Sequence, residues 1–252
     1  KEFVDAGGYS NRDYWQHPFT DNGESVAWEE SISRFSDQTG RPGPSTWQVQ
    51  DYPDGQEEYP VTGISWYEAE AYARFRGKEL PTVFHWSRAV SVWGSETMVP
   101  LSNFANSGTA EQGVYEGLSP FGTRDAAGNA REWVYNATGT DEDRYLLGGG
   151  FNDADYAFTD AFAASAWNRS TTNGVRLARY PKLSDNHDEL AGPLPKAFRD
   201  YSLETPVGEA EFAGILSLYD YDKTPLNDVI ESVDDSDDHW TREKITFDPA
   251  YT

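Results

Sequence analysis

Large aromatic side chains supply much of the apolar content of this 252-residue chain. Phe, Trp and Tyr make up 15% of the residues, with nine Trp among them, against 37% for all apolar types together. Gly (22 residues) and Pro (14 residues) are also frequent. Because helical bundles need long aliphatic patterns, this mixture predicts a loop-rich fold that is held together by large buried aromatic rings.

Two helices are predicted in succession in the first half of the chain. Trp66 to Arg76 carries apolar residues at helical spacing, with Ser65 as N-cap and Glu68 placed three residues later, as in a capping box. A second helix, capped by Thr82, is predicted from Val83 to Val92. Beyond it, short apolar bursts alternate with Gly, Asn, Asp and Ser, which predicts mostly loop. The strands predicted there are Ala130 to Tyr135, Tyr145 to Leu147 and Gly174 to Ala178.

The composition changes near Pro181. Residues 181–252 hold 17 acidic residues against six basic ones, including the run Asp234 to Asp238. A helix is predicted around Glu209 to Leu218 and a strand at Trp240 to Phe247, whereas 184–195 is interpreted as a linker. We therefore expect one domain over residues 1–180. Residues 181–252 are expected to form an acidic linker and the lead-in to a further domain of a larger protein.

The surface is expected to be strongly acidic, because the formal net charge is −23. Such a surface repels nucleic acid and anionic lipid, so neither is expected as a partner. No apolar stretch is long enough to span a membrane, and the first residues lack a signal-peptide pattern, which favours the cytoplasm. The chain has no cysteine, and this excludes disulfides, zinc–thiolate sites and thiol chemistry.

Four short motifs follow one another along residues 65–176. They are Ser65-Trp66 with Ala69, Leu80-Pro81-Thr82 and Trp86; Phe121-Gly122 through Gly128-Asn129 to Glu132-Trp133; Gly148-Gly149-Gly150-Phe151; and Asn173-Gly174-Val175-Arg176. Their order resembles the sulfatase-modifying factor family, which includes the formylglycine-generating enzymes. The resemblance covers about residues 1–180 and implies an α+β, C-type-lectin-like fold with much irregular structure around small sheets.

Further segments are similar to one form of this module, found beside protein kinase and α/β-hydrolase domains in bacterial multidomain proteins. They are Val4 to Tyr9 and the loop Thr39 to Pro44. The resemblance implies covalently linked kinase and hydrolase domains in the parent chain. The tail segments Leu218 to Asn227 and Phe247 to Tyr251 resemble the lead-in to the hydrolase. These 252 residues contain no Gly-x-Ser-x-Gly elbow of a hydrolase.

The chemistry of the resembled enzymes is supported only in part. Formylglycine generation needs two thiols after the Gly-Gly motif, and Asn152 to Trp167 contains none, which excludes that activity. Related sulfoxide synthases use a three-histidine iron site, whereas this chain has only His17, His85, His187 and His239. We interpret His85 as a hydrogen-bonded structural residue. The other three histidines have no partner at ligand spacing in the sequence.

Calcium is the ion that the resemblance favours. In the family, the Gly-Asn-x-x-Glu-Trp loop and an upstream Asn contribute to calcium sites. Carried over to this chain, they imply a site made by Asn103, Gly128, Asn129, Ala130 and Glu132. Ca²⁺ prefers oxygen ligands from carboxylates, amides and carbonyls, which such a loop provides. The alternative is that Asn129 and Glu132 only satisfy backbone groups in a tight loop.

Aromatic and basic residues of the motifs are expected to serve the core. Trp66, Trp86 and Trp133 are predicted to be buried, and Arg176 is predicted to pair with a buried acid. Three tryptophans in loops are also expected to pack against the protein, and the alternative is that they line a groove. These are Trp15, Trp47 and Trp167.

Three functions follow as hypotheses. The first is a non-catalytic binding or scaffold module that recognises a peptide, a protein or a glycan. The second is a metal-dependent oxidoreductase that uses nitrogen and oxygen ligands. Two histidines near a carboxylate would favour it, and the sequence offers no such cluster. The third is a module that only spaces or regulates the linked kinase and hydrolase.

Overall fold

The computed structural model describes residues 1–139, 143–183, 186–195, 201–219, 225–236 and 240–248. The chain divides into two units, Lys1–Ala197 and Phe198–Thr252. The helices of the first unit are α1 (Glu2–Asp5), α2 (Trp28–Ser33), α3 (Trp66–Phe75), α4 (Val83–Val90), α5 (Ser95–Met98) and α6 (His187–Ala191). Its strands are β1 (Thr20–Asp21), β2 (Glu24–Ser25), β3 (Arg131–Ala137), β4 (Asp143–Leu147), β5 (Phe162–Ser165) and β6 (Asn173–Val175).

Helix α3 begins where the sequence predicts it. The Ser65 hydroxyl accepts a hydrogen bond from the Glu68 amide (3.1 Å), and the Glu68 carboxylate accepts one from the Ser65 amide (2.8 Å). The predicted capping box is therefore confirmed. The helix ends at Phe75, with Arg76 as C-cap and Gly77 at a φ of +60° directly after it. Glycine adopts this left-handed conformation without the steric cost of a Cβ atom.

Helix α4 is two residues shorter than predicted. Thr82 caps it, because its hydroxyl accepts a hydrogen bond from the His85 amide (3.3 Å). The helix ends at Val90 rather than Val92. Ser91 adopts the left-handed conformation, with a φ of +56°, and this turns the backbone out of the helical path.

The three predicted strands belong to one four-stranded sheet in the order β5-β4-β3-β6. Strand β3 pairs antiparallel with β4 and parallel with β6. Strand β5 pairs with β4 and is not predicted, because Phe-Ala-Ala-Ser lacks the β-branched alternation that marks a strand. The last predicted strand is shorter than expected. Ala178 lies beyond β6 and instead forms an isolated bridge with Glu79.

Two buried tryptophans tie α3 to the sheet. Trp66 and Trp133 are fully buried and Trp86 is 3% exposed, as predicted. The indole N–H of Trp66 donates to the Val134 carbonyl (2.9 Å), and that of Trp133 donates to the Ile64 carbonyl (2.9 Å). Both rings are therefore buried without an unsatisfied donor. The other tryptophans expected to pack are Trp15 and Trp47, which are buried, and Trp167, which is half-buried.

A buried ion pair joins segments that lie far apart in the sequence. Glu68 is 2% exposed, and its carboxylate accepts hydrogen bonds from Arg169 Nε (2.8 Å), Arg169 Nη2 (2.9 Å) and the Tyr9 hydroxyl (2.8 Å). The Arg169 guanidinium also donates to the backbone carbonyls of Arg34, Ser36 and Gly43. The pair thus connects the first turn of α3 with two separate loops.

Residues 186–195 pack against the sheet, although the sequence predicts a linker over residues 184–195. The Asn136 side-chain amide donates to the carbonyls of Leu190 (2.8 Å) and Gly192 (2.7 Å), and the Tyr145 hydroxyl donates to the Leu194 carbonyl (2.7 Å). Because Asn136 is fully buried, it offers partners to carbonyls at the end of α6 that would otherwise lack them. Residues 184 and 185 lie outside the described residues.

The second unit contains α7 (Glu209–Ser217), β7 (Val229–Asp234) and β8 (Arg242–Thr246). The predicted helix and strand of the tail are therefore present. Strand β7 is not predicted, and it pairs antiparallel with β8. Part of the acidic run and the last histidine, residues 237–239, lie outside the described residues. None of the helices in the described part of the chain is long and apolar enough to cross a membrane.

We predict that Glu68→Gln lowers the free energy of unfolding by about 3 kcal/mol, because Arg169 then stays buried without its counter-ion. Denaturant titration followed by Trp fluorescence measures this change. Glu30→Gln is the matched control, since Glu30 also pairs with an arginine, Arg34, but has a side chain that is 60% exposed. An exposed pair contributes about 0–1 kcal/mol. Equal losses for the two variants would contradict the prediction.

Candidate functional site

The loop predicted to bind calcium folds tightly against Asn103. Gly128 forms a parallel bridge with Asn103, and the Asn129 amide donates to the Asn103 carbonyl (2.9 Å). Gly128 has a φ of +69°, and a Cβ atom there would lie 2.2 Å from the Asn103 carbonyl oxygen, so this position requires glycine. The structure therefore brings Asn103, Gly128 and Asn129 together. Ala130 follows them and is buried.

The side-chain amides of Asn103 and Asn129 are engaged within the protein. Asn103 Nδ2 donates to Asn129 Oδ1 (3.1 Å), and the Ala110 amide donates to the same oxygen (2.8 Å). Asn106 Nδ2 donates to Asn103 Oδ1 (2.7 Å). Both amide oxygens of the predicted calcium site therefore already accept hydrogen bonds.

Glu132 lies on β3 and takes part in a separate network. Trp86 Nε1 donates to its Oε2 (2.6 Å), and Arg176 Nε donates to its Oε1 (2.9 Å). The negative charge of Glu132 raises the pKa of the Arg176 guanidinium, so Arg176 has the buried acidic partner that the sequence predicts. Glu132 therefore already has a cationic partner and an indole donor, and calcium binding at this residue stays a prediction. Across the described ranges, no group of three or more His, Asp or Glu is placed to hold a metal ion.

A cavity of about 630 Å³ opens beside the C-terminal half of α3, residues 77–82 and α6. Its volume lies in the range of small-molecule sites, and its lining carries both signs of charge. The charged residues of the lining are Asp13, Glu70, Arg74, Lys78, Glu79 and Asp188, together with His187. This cleft therefore suits a small polar ligand or a polar side chain of a partner.

Glu70, which lines this cavity, and its neighbour His17 both have shifted pKa values. Glu70 is 5% exposed, and burial raises the pKa of its carboxyl against the opposing effect of its ion-pair partner Arg74. His17 Nε2 lies 3.7 Å from Glu70 Oε1. Burial, assisted by Arg144 and Arg74, lowers the pKa of His17 to about 4. His17 is therefore neutral at physiological pH, and its buried Nε2 has no hydrogen-bond partner among the described residues.

The structure brings together two histidines that are distant in the sequence. The rings of His85 and His187 have centroids 5.9 Å apart, and Tyr180 contacts both rings. His187 Nε2 also lies 3.9 Å from Glu79 Oε2. Burial and the neighbouring His187 lower the pKa of His85. His85 Nδ1 lies 2.7 Å from the Thr82 hydroxyl, so its predicted structural hydrogen bond is confirmed.

The sequence places no partner at ligand spacing from His187, but the fold brings two rings and a carboxylate close to it. Its neighbours come from three other segments of the chain, before α4, on α4 and after β6. Local spacing gives no signal for such a cluster, because only the packing of α6 on the domain assembles it. Two histidines therefore lie near a carboxylate, an arrangement that the sequence spacing does not predict.

Comparison with known proteins identifies the family. Residues 1–181 match the sulfatase-modifying factor enzyme 1-like domain. The chain belongs to the sulfatase-modifying factor family. The predicted family and its mixed α and β fold are thereby confirmed.

This sulfatase-modifying factor domain is similar to parts of proteins of different kinds. It is 35% identical over 95 residues to serine/threonine-protein kinase pkn1 of Chlamydia pneumoniae, covering 34% of this chain and 15% of the kinase. It is 29% identical over 151 residues to hercynine oxygenase of Mycobacterium tuberculosis, covering 53% of this chain and 34% of the oxygenase. It is 33% identical over 117 residues to inactive C-alpha-formylglycine-generating enzyme 2 of Bos taurus, covering 36% of this chain and 38% of that protein.

The chain therefore spans between 15% and 38% of the lengths of these relatives. Among solved structures, this sulfatase-modifying factor domain is similar to CarF, with a TM-score of 0.43 and 18% sequence identity. That superposition covers 59% of this chain and 78% of CarF.

In this sulfatase-modifying factor domain, the segment after the glycine motif is packed and paired. The Asp153 carboxylate accepts hydrogen bonds from Arg131 Nε (2.8 Å) and from the Gly150 amide (2.7 Å). Phe158 is 3% exposed, and its ring centroid lies 6.3 Å from that of Trp86. Since the chain has no cysteine, this segment contributes an ion pair and a core ring where the resemblance expects thiols.

We predict that His17 makes stability depend on pH. Its pKa is about 4 in the folded protein and ~6.5 when unfolded, so the unfolded state binds the proton first as the pH falls. The contribution of neutral His17 to the free energy of unfolding is fully present above pH ~6.5. It is lost as the pH falls from ~6.5 to about 4. On acidification, the free energy of unfolding should therefore fall less for His17→Gln than for the wild type, and the difference should be on the order of 1–2 kcal/mol at pH ~5. Parallel pH curves of the two proteins would contradict this assignment.

Calcium binding stays a prediction for the oxygen atoms of Asn103, Gly128, Asn129, Ala130 and Glu132. A site with a Kd of ~10⁻⁴ M would raise the free energy of unfolding by ~1.4 kcal/mol at ~1 mM CaCl₂ relative to EDTA. Asn129→Ala should abolish that difference, whereas Asn22→Ala, in an exposed turn, should preserve it. Equal thermal midpoints of the wild type with calcium and with EDTA would contradict the prediction.

Proposed function

We propose that this chain is a non-catalytic member of the sulfatase-modifying factor family that acts as a binding or scaffold module within a larger protein. The observation that carries the proposal is the absence of cysteine from all 252 residues. A thiolate is the nucleophile and soft metal ligand in cysteine chemistry, and Asp153 or Phe158 cannot replace it. Cysteine-dependent formylglycine generation is therefore not open to this chain.

The engagement of the motif residues supports the same proposal. Asn103 and Asn129 bond to each other, Glu132 is neutralised by Arg176, and Asp153 pairs with Arg131. Catalytic groups need polar atoms that are free to meet a substrate within hydrogen-bond distance. In this domain those atoms hold loops to the sheet, so the family's motifs serve the stability of the fold. The ligand proposed for such a module is a peptide, a protein or a glycan.

A linked kinase domain is part of the proposal. The relative named serine/threonine-protein kinase pkn1 is more than six times longer than the region it shares with this chain, since that region is 15% of the kinase. We propose that the parent protein joins this module to a kinase, with the acidic tail leading into a hydrolase domain. Sequencing the gene on both sides of these residues tests both linkages. A kinase-free open reading frame would contradict the first.

A metal-dependent oxidoreductase is the second candidate function. It is favoured by the similarity to hercynine oxygenase and by the contact of His85 with His187 near Glu79. Imidazole and carboxylate groups are ligands for iron and copper. As described, however, these side chains do not form a group placed to hold a metal ion.

Elemental analysis of protein purified without chelator and without a nickel column separates the two functions. The binding-module proposal predicts no stoichiometric iron or copper and no oxygen uptake with a cysteine-containing peptide. Stoichiometric iron or copper that disappears in both His85→Gln and His187→Gln, but persists in His17→Gln, would contradict it and support the oxidoreductase. The His17 variant is the control because it removes a histidine outside the pair.

A further inference from the structure

A second groove on the first unit has a lining unlike that of the cleft beside α6. Its volume is about 440 Å³, within the range of small-ligand sites. The loop of residues 46–62 forms one wall, and residues 1 and 2, the C-terminal half of α3 and three short loop segments form the others. The lining residues of the three short segments include Thr109, Phe151 and Thr171.

Aromatic rings line much of this groove. Tyr52, Tyr59, Tyr72 and Phe151 are half-buried, so each ring has one part packed on the protein and one part open to the groove. Tyr52 is supported from behind by the buried Trp47, whose ring meets it edge to face at a centroid distance of 5.7 Å. Rings held in this way are rigid surfaces on which a ligand can stack at a low cost in conformational entropy.

Several polar side chains of the lining are free to bond a ligand. The hydroxyls of Tyr52, Tyr59, Thr109 and Thr171 and the side-chain amide of Gln56 make no hydrogen bond to any described residue. By contrast, Asn103 and the other polar motif side chains described above already make hydrogen bonds within the protein. Hydroxyl and amide groups donate and accept, so together they suit a ligand that itself carries many hydroxyls.

The charges of the groove balance one another. Its charged lining consists of two cations, Lys1 and Arg76, and two anions, Glu2 and Glu57. Arg76 pairs with Glu2 (3.1 Å), and Lys1 pairs with Asp5 (3.1 Å) outside the groove. A charged ligand would have to displace these partners, whereas a neutral ligand would not.

We propose that this groove binds a neutral oligosaccharide. The C–H faces of sugar rings carry small positive charge and stack on the negative faces of aromatic rings, while sugar hydroxyls bond side-chain hydroxyls and amides. A peptide that binds by adding a strand needs an open sheet edge, and none of the residues described as lining this groove lies in a strand. This inference rests on the proposed binding function, for which it names the ligand class and the site.

Isothermal titration of the full chain with neutral hexasaccharides tests the proposal. The probes are the β-1,4-linked hexamers of glucose, N-acetylglucosamine, mannose and xylose, with an acetylated, amidated decaproline peptide as the competing class. We expect at least one hexamer to bind, with its affinity reduced on the order of tenfold or more by Tyr59→Ala and by Gln56→Ala. Tyr156→Ala is the control, because Tyr156 is 76% exposed and lies outside the groove, and it should leave the affinity unchanged.

The outcomes separate the ligand class from the proposed function. Binding of decaproline alone, with the same sensitivity to Tyr59→Ala, would overturn the saccharide assignment and leave the binding-module function standing. No binding of any hexamer at millimolar concentration would also overturn it. Stoichiometric iron or copper would contradict the binding-module function whatever the titrations give. Because Gln56 is exposed, its variant tests the site even where Tyr59→Ala impairs folding.

Discussion

The buried pair of Glu68 and Arg169 is the interaction on which the rest of the first unit depends. Glu68 closes the capping box of α3 and at the same time accepts two hydrogen bonds from Arg169. Arg169 also donates hydrogen bonds to the backbone carbonyls of Arg34, Ser36 and Gly43. A buried ion pair is costly to desolvate, and it is tolerated here because the guanidinium and carboxylate bond to each other and to further partners.

A similar arrangement of buried charges holds other motif residues of the family in this cysteine-free chain. A second buried ion pair lies at the sheet. There the Glu132 carboxylate accepts hydrogen bonds from the Arg176 guanidinium and from the Trp86 indole N–H. Motif residues of this kind are required by the fold, so they remain recognisable in a chain that has no cysteine. The proposed ligand site is a place where several polar side chains are not engaged by the fold, the groove lined by Tyr52, Tyr59 and Gln56.

Sequence patterns predict the elements whose determinants are local. The capping box of α3 and the Thr82 cap of α4 lie within a few residues of the helices they begin, and the motif tryptophans are buried as expected. Local sequence patterns do not predict contacts between segments that are distant along the chain. The packing of α6 depends on Asn136, about fifty positions earlier, and brings His187 onto His85. The groove is likewise assembled from loops that carry no shared periodicity.

The coupling energy between Glu68 and Arg169 tests this account most directly. A double-mutant cycle with Glu68→Gln, Arg169→Met and the combined variant, measured by denaturant unfolding, isolates it from the separate effects of each side chain. If the pair organises the domain, the coupling should be about 2 kcal/mol or more, and the double variant should be hardly less stable than either single one. A coupling near zero would contradict the account, because the loops would then be held independently of the buried pair.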